Sequence, residues 1–487
     1  MSTIRQRALE VQRQRNQARL LAASALLVFV WLSLLDSGKT GILDFVSAGI
    51  IVLAGVRPMV VWLSAPDRYG LPIFPLHAVS FVWAYALPIL SAHDVVLSYP
   101  PAMRFGAALL IFAYLLIGYV VWRMVASRPN HIRGKVFLIG QSMSSPVLYV
   151  FLAIGALFQV LTASGSLGFL GSMGSIARAI FSSLFILSVF ALSYRWGQGG
   201  LKPYARLGFL AGVGLYGLAS CSGLFLIQGL LISAAALGGY FFSARKIPWI
   251  PILLLSAVFS ILHLGKESMR NEYWSMSRSL TVTPAQYPEW YTDWVNRGIE
   301  RLTQGDDPLT QHSSRSLLER ASLLHMLLRT VDLSPQPVDY LYGETYARVP
   351  LILVPRVIYA NKPPSHEAST ILSVNYGLMM RESAVHTTIA WGLVAEAYAN
   401  FGTLGVLMLA VVIPGLYAGI ARWAKGFPIG SARMLMAFLA TFMALNAEYT
   451  STVFASVLFQ SSVAVVVALL LMRRVDIAPV SLRTAID

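Results

Sequence analysis

Charged residues are scarce in this chain of 487 residues. Asp, Glu, Lys and Arg together make up 12% of it, whereas hydrophobic residues make up 56%. A soluble protein carries roughly twice that charged fraction. The scarcity excludes an ordinary soluble domain and indicates that most of the chain is surrounded by lipid.

Cysteine is almost absent. The single cysteine, Cys221, lies in an apolar run, which excludes an intrachain disulfide and a cysteine-based metal cluster. No histidines or carboxylates stand at metal-ligand spacing, and neither a metal nor a cofactor is expected. The chain also lacks an internal repeat, which argues against a transporter built from two inverted halves.

Acidic residues are too few to balance the basic ones, and the net charge is +15. The basic residues stand in small groups between apolar runs, which is typical of membrane topology and not of a nucleic-acid-binding surface. Five arginines precede residue 20, and no small-residue cleavage site follows the first apolar run. The N-terminus is therefore predicted to remain as a membrane anchor.

The long apolar runs predict an all-α polytopic membrane protein with about twelve transmembrane helices. Tight hairpins are expected at 220–223 and 446–449, because the apolar runs around them are too long for one crossing. The predicted spans lie near residues 20–35, 42–64, 72–91, 104–122, 136–162, 178–194, 207–220, 223–243, 247–264, 402–421, 434–447 and 451–471.

The distribution of Lys and Arg sets the orientation. With both termini inside, 22 of the 37 Lys and Arg residues lie in cytoplasmic segments and three in short outer loops. The other twelve lie in a long outer insert, to which the positive-inside rule does not apply. The predicted order is a cytoplasmic N-terminal segment, nine spans, the insert, three spans and a cytoplasmic tail, at residues 1–19, 20–264, 265–388, 389–474 and 475–487.

The insert combines mixed charge with many aromatic residues. Six tyrosines and tryptophans within residues 273–294 could stack on sugar rings or form an interfacial belt. Residues 314–331 show the spacing of an amphipathic helix that lies on the membrane surface or roofs the bundle. Arg320 lies off its apolar stripe and is either a substrate contact or a residue facing solvent or lipid headgroups.

Cations gather at the predicted outer boundary of the membrane. Arg356 and Lys362 follow an apolar run, where they suit either a diphosphate or headgroup anchoring. Lys266 and Arg270 are four residues apart at the end of the ninth span and share a helix face.

Glu396 and Asn400 are also four apart, on a helix-like stretch that Gly402 and Gly405 are expected to break. A carboxylate in apolar surroundings is a candidate general base. The alternative is a structural partner for an arginine such as Arg356 or Arg270. His386 is a second candidate for acid–base chemistry, although a lone loop histidine is often merely polar.

A series of motifs resembles the O-antigen polymerase (Wzy-type) and oligosaccharide repeat-unit polymerase family over about residues 315–410. The series comprises Gly-Glu-Thr-Tyr at 343–346, Pro-Arg at 355–356, Lys-Pro at 362–363, Tyr-Gly at 376–377 and Glu-x-Tyr-x-Asn-Phe-Gly-x-x-Gly at 396–405. The chain departs from the family at the turn 220–223, where Cys221 and Ser222 hold places that often carry a cation.

The resemblance implies a glycosyltransferase-C-like helical fold with a long periplasmic loop containing short helices, in the bacterial inner membrane. It implies an inverting, metal-independent glycosyltransferase that joins oligosaccharide repeats on undecaprenyl diphosphate at the periplasmic face. The product would be O-antigen of lipopolysaccharide, capsule or exopolysaccharide. The expected partners are the lipid-diphosphate-linked donor and acceptor glycans, membrane lipids, a chain-length regulator and a flippase, with no nucleic acid.

The residues are given roles on that basis. Catalysis is assigned to Glu396, with His386 in reserve, and to Arg356 on the leaving diphosphate. Two other functions stay open: an O-antigen-ligase-like glycan transferase, and a lipid-linked oligosaccharide flippase or other transporter. The predicted substrate-binding residues are Arg270, Lys266, Lys362, Arg320, Tyr346, Tyr398 and Asn400.

Overall fold

The structure is a computed structural model, and within its described ranges it is almost entirely helical. It describes residue 23 and residues 40–130, 135–138, 145–170, 173–244, 246, 248–276, 281–303, 322–354, 358–359, 361–382, 388–428, 431–470 and 473–476.

Eleven helices precede residue 280 in the described ranges. A π-helical segment, Val82–Ala86, joins the helices Ile73–Phe81 and Leu87–Leu90, so that these three pieces form one continuous rod. The helices are α1 (Ile42–Ser64), α2 (Pro66–Tyr69), α3 (Ile73–Phe81), α4 (Leu87–Leu90), α5 (Asp94–Leu97), α6 (Pro101–Ala126), α7 (Ser145–Ala163), α8 (Met173–Gly197), α9 (Pro203–Cys221), α10 (Ile227–Ala244) and α11 (Trp249–Met276).

The second part of the described chain contains short helices followed by three apolar ones. Single 3-10 turns at Gly168–Leu170 and Pro284–Gln286 complete the helical elements. The helices are α12 (Tyr287–Thr303), α13 (Leu324–Leu333), α14 (Glu344–Ala347), α15 (Val349–Leu353), α16 (Glu367–Asn375), α17 (Gly392–Ala424), α18 (Ala432–Ala444) and α19 (Ser451–Leu470).

The helices confirm a helical membrane protein. Seven described helices are long and apolar enough to cross a membrane, and three shorter apolar helices accompany them. A helix satisfies its backbone hydrogen bonds internally, which is what a chain in hydrocarbon requires. Both predicted hairpins are present, because α9 ends at Cys221 before α10 begins at Ile227, and α18 ends at Ala444 before α19 begins at Ser451. The first predicted span, near residues 20–35, lies outside the described residues apart from Ala23.

Two helices differ from the predicted spans. The fifth span does not begin at residue 136, because Lys135–Leu138 is a strand and α7 starts only at Ser145. Helix α11 continues past the predicted span end at 264 to Met276 and carries Lys266 and Arg270 within it. Helix α17 includes both the helix-like stretch before Gly402 and the predicted span after it.

Within the described residues, the fold is all-helical apart from one pair of four-residue strands. Strand β1 (Lys135–Leu138) pairs antiparallel with β2 (Arg473–Asp476), and Lys135 is opposite Asp476. A strand of four residues is too short to show a periodicity of its own, and the apolar Val-Phe-Leu of β1 reads as the beginning of a span. The pairing ties the segment before α7 to the end of the chain.

One lobe of the bundle is built from α1, α3, α6, α13, α17 and α18, which share the largest buried cluster. Helices α6 and α17 approach closely at Gly118, where an added Cβ would lie 2.7 Å from Cγ of Pro414. Aromatic rings fill the centre, as in the stacked pair Phe81 and Tyr114, with centroids 5.1 Å apart.

A second lobe contains α7, α8, α9 and α10. Phe185 of α8 stacks on Tyr216 of α9 with centroids 3.9 Å apart. The lobes meet where Phe438 of α18 packs on Phe190 of α8 at 3.8 Å.

The aromatic segment of the insert forms part of the packing between α11 and α12. Trp294 is buried, and its indole nitrogen donates to the Leu262 carbonyl at 2.6 Å. Tyr291 donates to the Leu218 carbonyl at 2.5 Å. These rings therefore hold α12 against the bundle, a role that neither sugar stacking nor an interfacial belt describes.

The amphipathic helix of the insert packs on the first lobe. Its described part is α13, and Leu324, Leu327 and Leu328 are fully buried there. The Leu323 amide donates to the Ala84 carbonyl at 2.9 Å. The helix therefore roofs the bundle. Arg320 precedes the described part.

Candidate functional site

Two of the sequence motifs meet at one end of α17. The Gly-Glu-Thr-Tyr motif (343–346) forms α14 and the residue before it, and the Glu-x-Tyr-x-Asn-Phe-Gly motif (396–402) lies in the first turns of α17. The Leu341 and Tyr342 amides donate to the Ala399 and Asn400 carbonyls at 2.9 and 3.1 Å. Segments that are more than fifty residues apart in the chain thus form one structural unit, which we call the motif junction.

Asn400 is the centre of the motif junction. Its side chain is buried, and its Nδ2 donates to Thr345 Oγ1 at 2.9 Å and to the Glu396 carbonyl at 2.8 Å. Its Oδ1 accepts the Gly343 amide at 3.0 Å. The whole amide is thus used to hold the two motifs together. Asn400 therefore shapes the site, and the sugar contact expected of it remains a prediction.

Glu396 is fully buried beside Asn400. The carboxylate accepts the Ser451 amide at 2.6 Å and the Ser451 hydroxyl at 2.5 Å, and Thr345 donates a further hydrogen bond. Ser451 is the first residue of α19, whose N-terminal dipole favours a negative charge. Neither Arg270 nor any other cation forms an ion pair with Glu396 among the described residues.

A sharp kink follows the motif in α17. Gly402 has φ +60° and ψ −146°, and the preceding Phe401 is also non-helical. A Cβ at Gly402 would lie 2.8 Å from the Tyr340 hydroxyl, and a Cβ at Gly405 would lie 2.2 Å from the Ala397 carbonyl oxygen. The predicted break is therefore confirmed, and only glycine suits the conformation at 402.

Aromatic rings surround the kink. Tyr346 stacks on Phe401 with centroids 6.2 Å apart, and Tyr340 meets Tyr398 edge-on at 6.4 Å. Tyr346 and Tyr398 are half-buried, while Tyr342 is exposed. Burial, followed by the charge of Glu396, raises the pKa of Tyr346. The rings form an amphipathic surface beside the buried carboxylate.

The turn between α18 and α19, residues 445–450, covers the start of α17. The Gly392 amide donates to the Glu448 carbonyl at 3.3 Å. Helix α16 packs on the other side, where the Ser369 and Thr450 hydroxyls are 3.2 Å apart. Glu448 is accessible to solvent, while the protein atoms around its carboxyl partly desolvate it and so raise its pKa.

Arg348, a cation that the sequence motifs do not single out, lies near the motif junction. Arg348 follows α14 directly and forms an ion pair with Glu344 at 3.5 Å, with both side chains about 40% exposed. Exposed pairs of this kind contribute little stability. Arg348 is therefore available to an anion that displaces Glu344.

The other predicted cations lie apart from this junction. Arg270 donates to the Leu224 carbonyl at 2.7 Å and lies over Phe225, with its Cζ atom 5.1 Å from the ring centre. Lys266 is half-buried on the same helix. Arg270 thus brings a cation to the turn after α9, where Cys221 and Ser222 carry none. The neighbours of Arg270 belong to a different buried cluster from those of Glu396.

The remaining predicted residues are only partly placed. Lys362 is half-buried in the turn before α16, where its amide donates to the Tyr359 carbonyl at 3.2 Å. Arg356, His386 and Arg320 lie outside the described residues. In the described part of the chain, no three His, Cys, Asp or Glu side chains are grouped as a metal site would need.

Sequence reasoning missed the two hydroxyl residues that hold Glu396. Thr345 lies inside a motif that was recognised, and Ser451 opens a helix after a polar turn. An acidic residue and a helix N-terminus are common partners, but a single chain gives no sign that these two meet across fifty-five residues. The buried ion pair between Asp44 and Arg104 was missed for the same reason.

Comparison with known proteins gives a family without an established activity. No curated protein and no solved structure matches the chain. Residues 224–478 match the family described as "Domain of unknown function (DUF8712)". This segment contains the motif junction and the turn that carries Glu448. Because it covers just over half of the chain, the protein belongs to the DUF8712 family.

Proposed function

We propose that this protein polymerises lipid-diphosphate-linked oligosaccharide repeats into a surface polysaccharide at the periplasmic face of the bacterial inner membrane. The observation that carries the proposal is the motif junction. The two motifs that resemble the polymerase family are joined through Asn400, whose side chain bonds to Gly343 and Thr345. A chance resemblance of two separate motifs to the polymerase family would not explain why both lie at one buried carboxylate.

The distribution of basic residues along α17 supports a periplasmic position for the motif junction. Glu396 lies near the beginning of α17 and Arg422 near its end, at opposite ends of a helix of 33 residues. At the Arg422 end, the Lys425 ammonium donates to the carbonyls of Arg68, Ala126 and Arg128 at 2.7–3.0 Å. Basic segments thus gather at one end, as expected of a cytoplasmic face. The motif junction then faces the periplasm, and both termini are cytoplasmic.

The proposed reaction transfers the growing glycan from its lipid diphosphate to an incoming lipid-linked repeat. A hydroxyl of the acceptor sugar attacks the anomeric carbon of the donor. The new glycosidic bond forms as the bond to the diphosphate oxygen breaks, and the electron pair leaves with the diphosphate. A single displacement of this kind inverts the anomeric centre.

Three tasks fall to the protein. The leaving diphosphate needs cations, for which the sequence assigns Arg356 and Lys362 and the geometry adds Arg348 beside α14. The sugars need amphipathic surfaces, which Tyr346, Tyr398 and their neighbours offer. The acceptor hydroxyl needs a base. Glu396 is the predicted base, and in that role it must first release Ser451 and Thr345.

Deletion of the gene in its native bacterium tests the proposal. Loss of the polymerase leaves single-repeat glycolipid at the cell surface, because an attached repeat can no longer be extended. Complementation with the wild-type gene restores the polymer, and complementation with Glu396→Gln restores less of it. Unattached polymer in the deletion strain would instead identify a ligase-like transferase. Lipid-linked repeats confined to the cytoplasmic leaflet would identify a flippase.

A further inference from the structure

Protein atoms enclose the Glu396 side chain and keep its carboxylate from direct contact with a bound sugar. Its side chain is fully buried, and its carboxylate accepts two hydrogen bonds from Ser451 and one from Thr345. A carboxylate has about four acceptor positions. A group held in this way fixes the start of α19, but it has little capacity left for a substrate proton.

A second carboxylate lies in the turn between α18 and α19, which Glu396 holds through Ser451. Glu448 precedes Ser451 by three residues, in the same turn between α18 and α19. Its side chain is exposed, and within the described part of the chain no group forms a hydrogen bond or ion pair with its carboxylate. Glu448 is therefore a carboxylate that a ligand can reach.

The turn holds Glu448 in a fixed place. Its carbonyl accepts the amide of Gly392, the first residue of α17, and a Cβ on Gly392 would lie 3.0 Å from the Ala447 carbonyl oxygen. Thr450 is fully buried against Ser369 of α16. Glu396 anchors the far end of the turn through Ser451. Three contacts, two from α17 and one from α16, thus fix the backbone on which this exposed carboxylate stands.

We propose that Glu448 is the general base of the polymerisation and that Glu396 is a positioning residue that holds the Glu448 turn. This inference rests on the proposed function. In the transfer step, the Glu448 carboxylate takes the proton of the attacking acceptor hydroxyl while the bond between the anomeric carbon and the diphosphate oxygen breaks. Because the diphosphate leaves with the bonding electron pair, charge and atoms balance without a metal or co-reactant.

The pH dependence follows from the surroundings of the turn. Burial raises the pKa of Glu448, so the base form is lost at a higher pH than for an ordinary glutamate as the solution is acidified. The rate of polymerisation should therefore fall on the acidic side through that raised pKa. The titratable groups around the turn are Tyr449 within it, Glu396 bonded to Ser451, Tyr417 beside Tyr449, and Tyr85, whose hydroxyl would lie 3.4 Å from a Cβ on Gly392. Helix α16, which packs on the turn through Ser369, carries Glu367, which pairs with Arg381.

The test measures the initial rate of polymer formation by the full-length protein in lipid nanodiscs, with lipid-diphosphate-linked repeats as substrate. Glu448→Gln should lower the rate by about 100-fold or more, with little change in KM, because general bases contribute at least this factor. It should also remove the acidic limb of the pH profile, and Glu448→Asp should restore part of the rate. The melting temperature should be unchanged, since the side chain is exposed. Glu289→Gln, an exposed carboxylate on α12, is the matched control and should keep the full rate.

Glu396→Gln separates the two roles. As a positioning residue, it should lower both the rate and the melting temperature while leaving the acidic limb in place. Full activity of Glu448→Gln with an unchanged pH profile would overturn the assignment and leave the proposed function intact. Loss of the acidic limb in Glu396→Gln but not in Glu448→Gln would also overturn it. Absence of polymer with the wild-type protein would overturn the proposed function and this assignment with it.

Discussion

Two carboxylates are buried in the same lobe and are stabilised in different ways. Asp44 of α1 receives Nε and Nη2 of Arg104 at 2.7 Å each, and Arg104 also donates to the Leu97 and Tyr99 carbonyls. Glu396 of α17 receives an amide and two hydroxyls, and no described cation pairs with it.

The partners of the two carboxylates distinguish a structural charge, which has a cationic partner, from a charge that has only neutral donors. The Asp44 pair is neutral as a whole, and every group in it is used to join α1 to α6. Glu396 rests on neutral donors and a helix N-terminus, an arrangement that favours an anion without cancelling its charge. Regions with uncancelled buried charge are candidates for function. The Arg104 site therefore belongs to the scaffold, whereas Glu396 in the motif junction positions the turn of Glu448, the proposed base.

The largest expected effect is at the scaffold pair. Asp44→Ala leaves the Arg104 guanidinium buried without its counter-charge and should lower the free energy of unfolding by about 3–5 kcal/mol. Denaturant unfolding in detergent measures the change. The double variant Asp44→Leu with Arg104→Met is the control and should recover most of the stability, since it leaves no unpaired charge. Equal stability of Asp44→Ala and wild type would remove the contrast between the two sites.

A smaller effect is expected at Glu396. Glu396→Gln replaces one acceptor oxygen by a donor that faces Ser451 and should cost about 3 kcal/mol. Ser451→Ala keeps the amide donor and loses only the hydroxyl, so it should cost about 1 kcal/mol. Both are measured by the same unfolding experiment. A larger loss in Ser451→Ala than in Glu396→Gln would mean that the carboxylate does not anchor α19.

A smaller loss than that of Glu396→Gln is expected at the kink. Gly402→Ala places a Cβ in a left-handed conformation beside the Tyr340 hydroxyl and should cost about 2 kcal/mol. Gly419→Ala is the matched control in the same helix, where an added Cβ meets no atom within 4 Å. Its melting temperature should equal that of the wild type. Similar losses in the two variants would show that the kink is not specifically required.

Local patterns predicted much of the fold. The apolar runs predicted the long apolar helices that the structure describes, the polar breaks predicted both hairpins, and Gly402 marked the kink. These features depend on residues close together in the chain. The start of α7 was misplaced because the short strand Lys135–Leu138 obtains its partner from residues 473–476, which no local pattern reveals.

The candidate site was predicted in part. The resemblance singled out both motifs, and the structure places Glu396, Asn400, Tyr346 and Tyr398 around one junction. It places Arg270 and Lys266 in another cluster. The contacts of Thr345 and Ser451 were beyond prediction, because a hydroxyl suits almost any surface position and only the folded chain shows its partner. The accessibility of Glu448 likewise depends on the packing of three helices.

The most direct measurement incubates the purified protein with a single lipid-diphosphate-linked repeat unit and separates the products by size. Wild type and Glu289→Gln should give a ladder of polymers that grow by one repeat, whereas Glu448→Gln should give only single repeats over the same time. Unextended repeats with the wild-type protein, or an undiminished ladder with Glu448→Gln, would contradict this prediction.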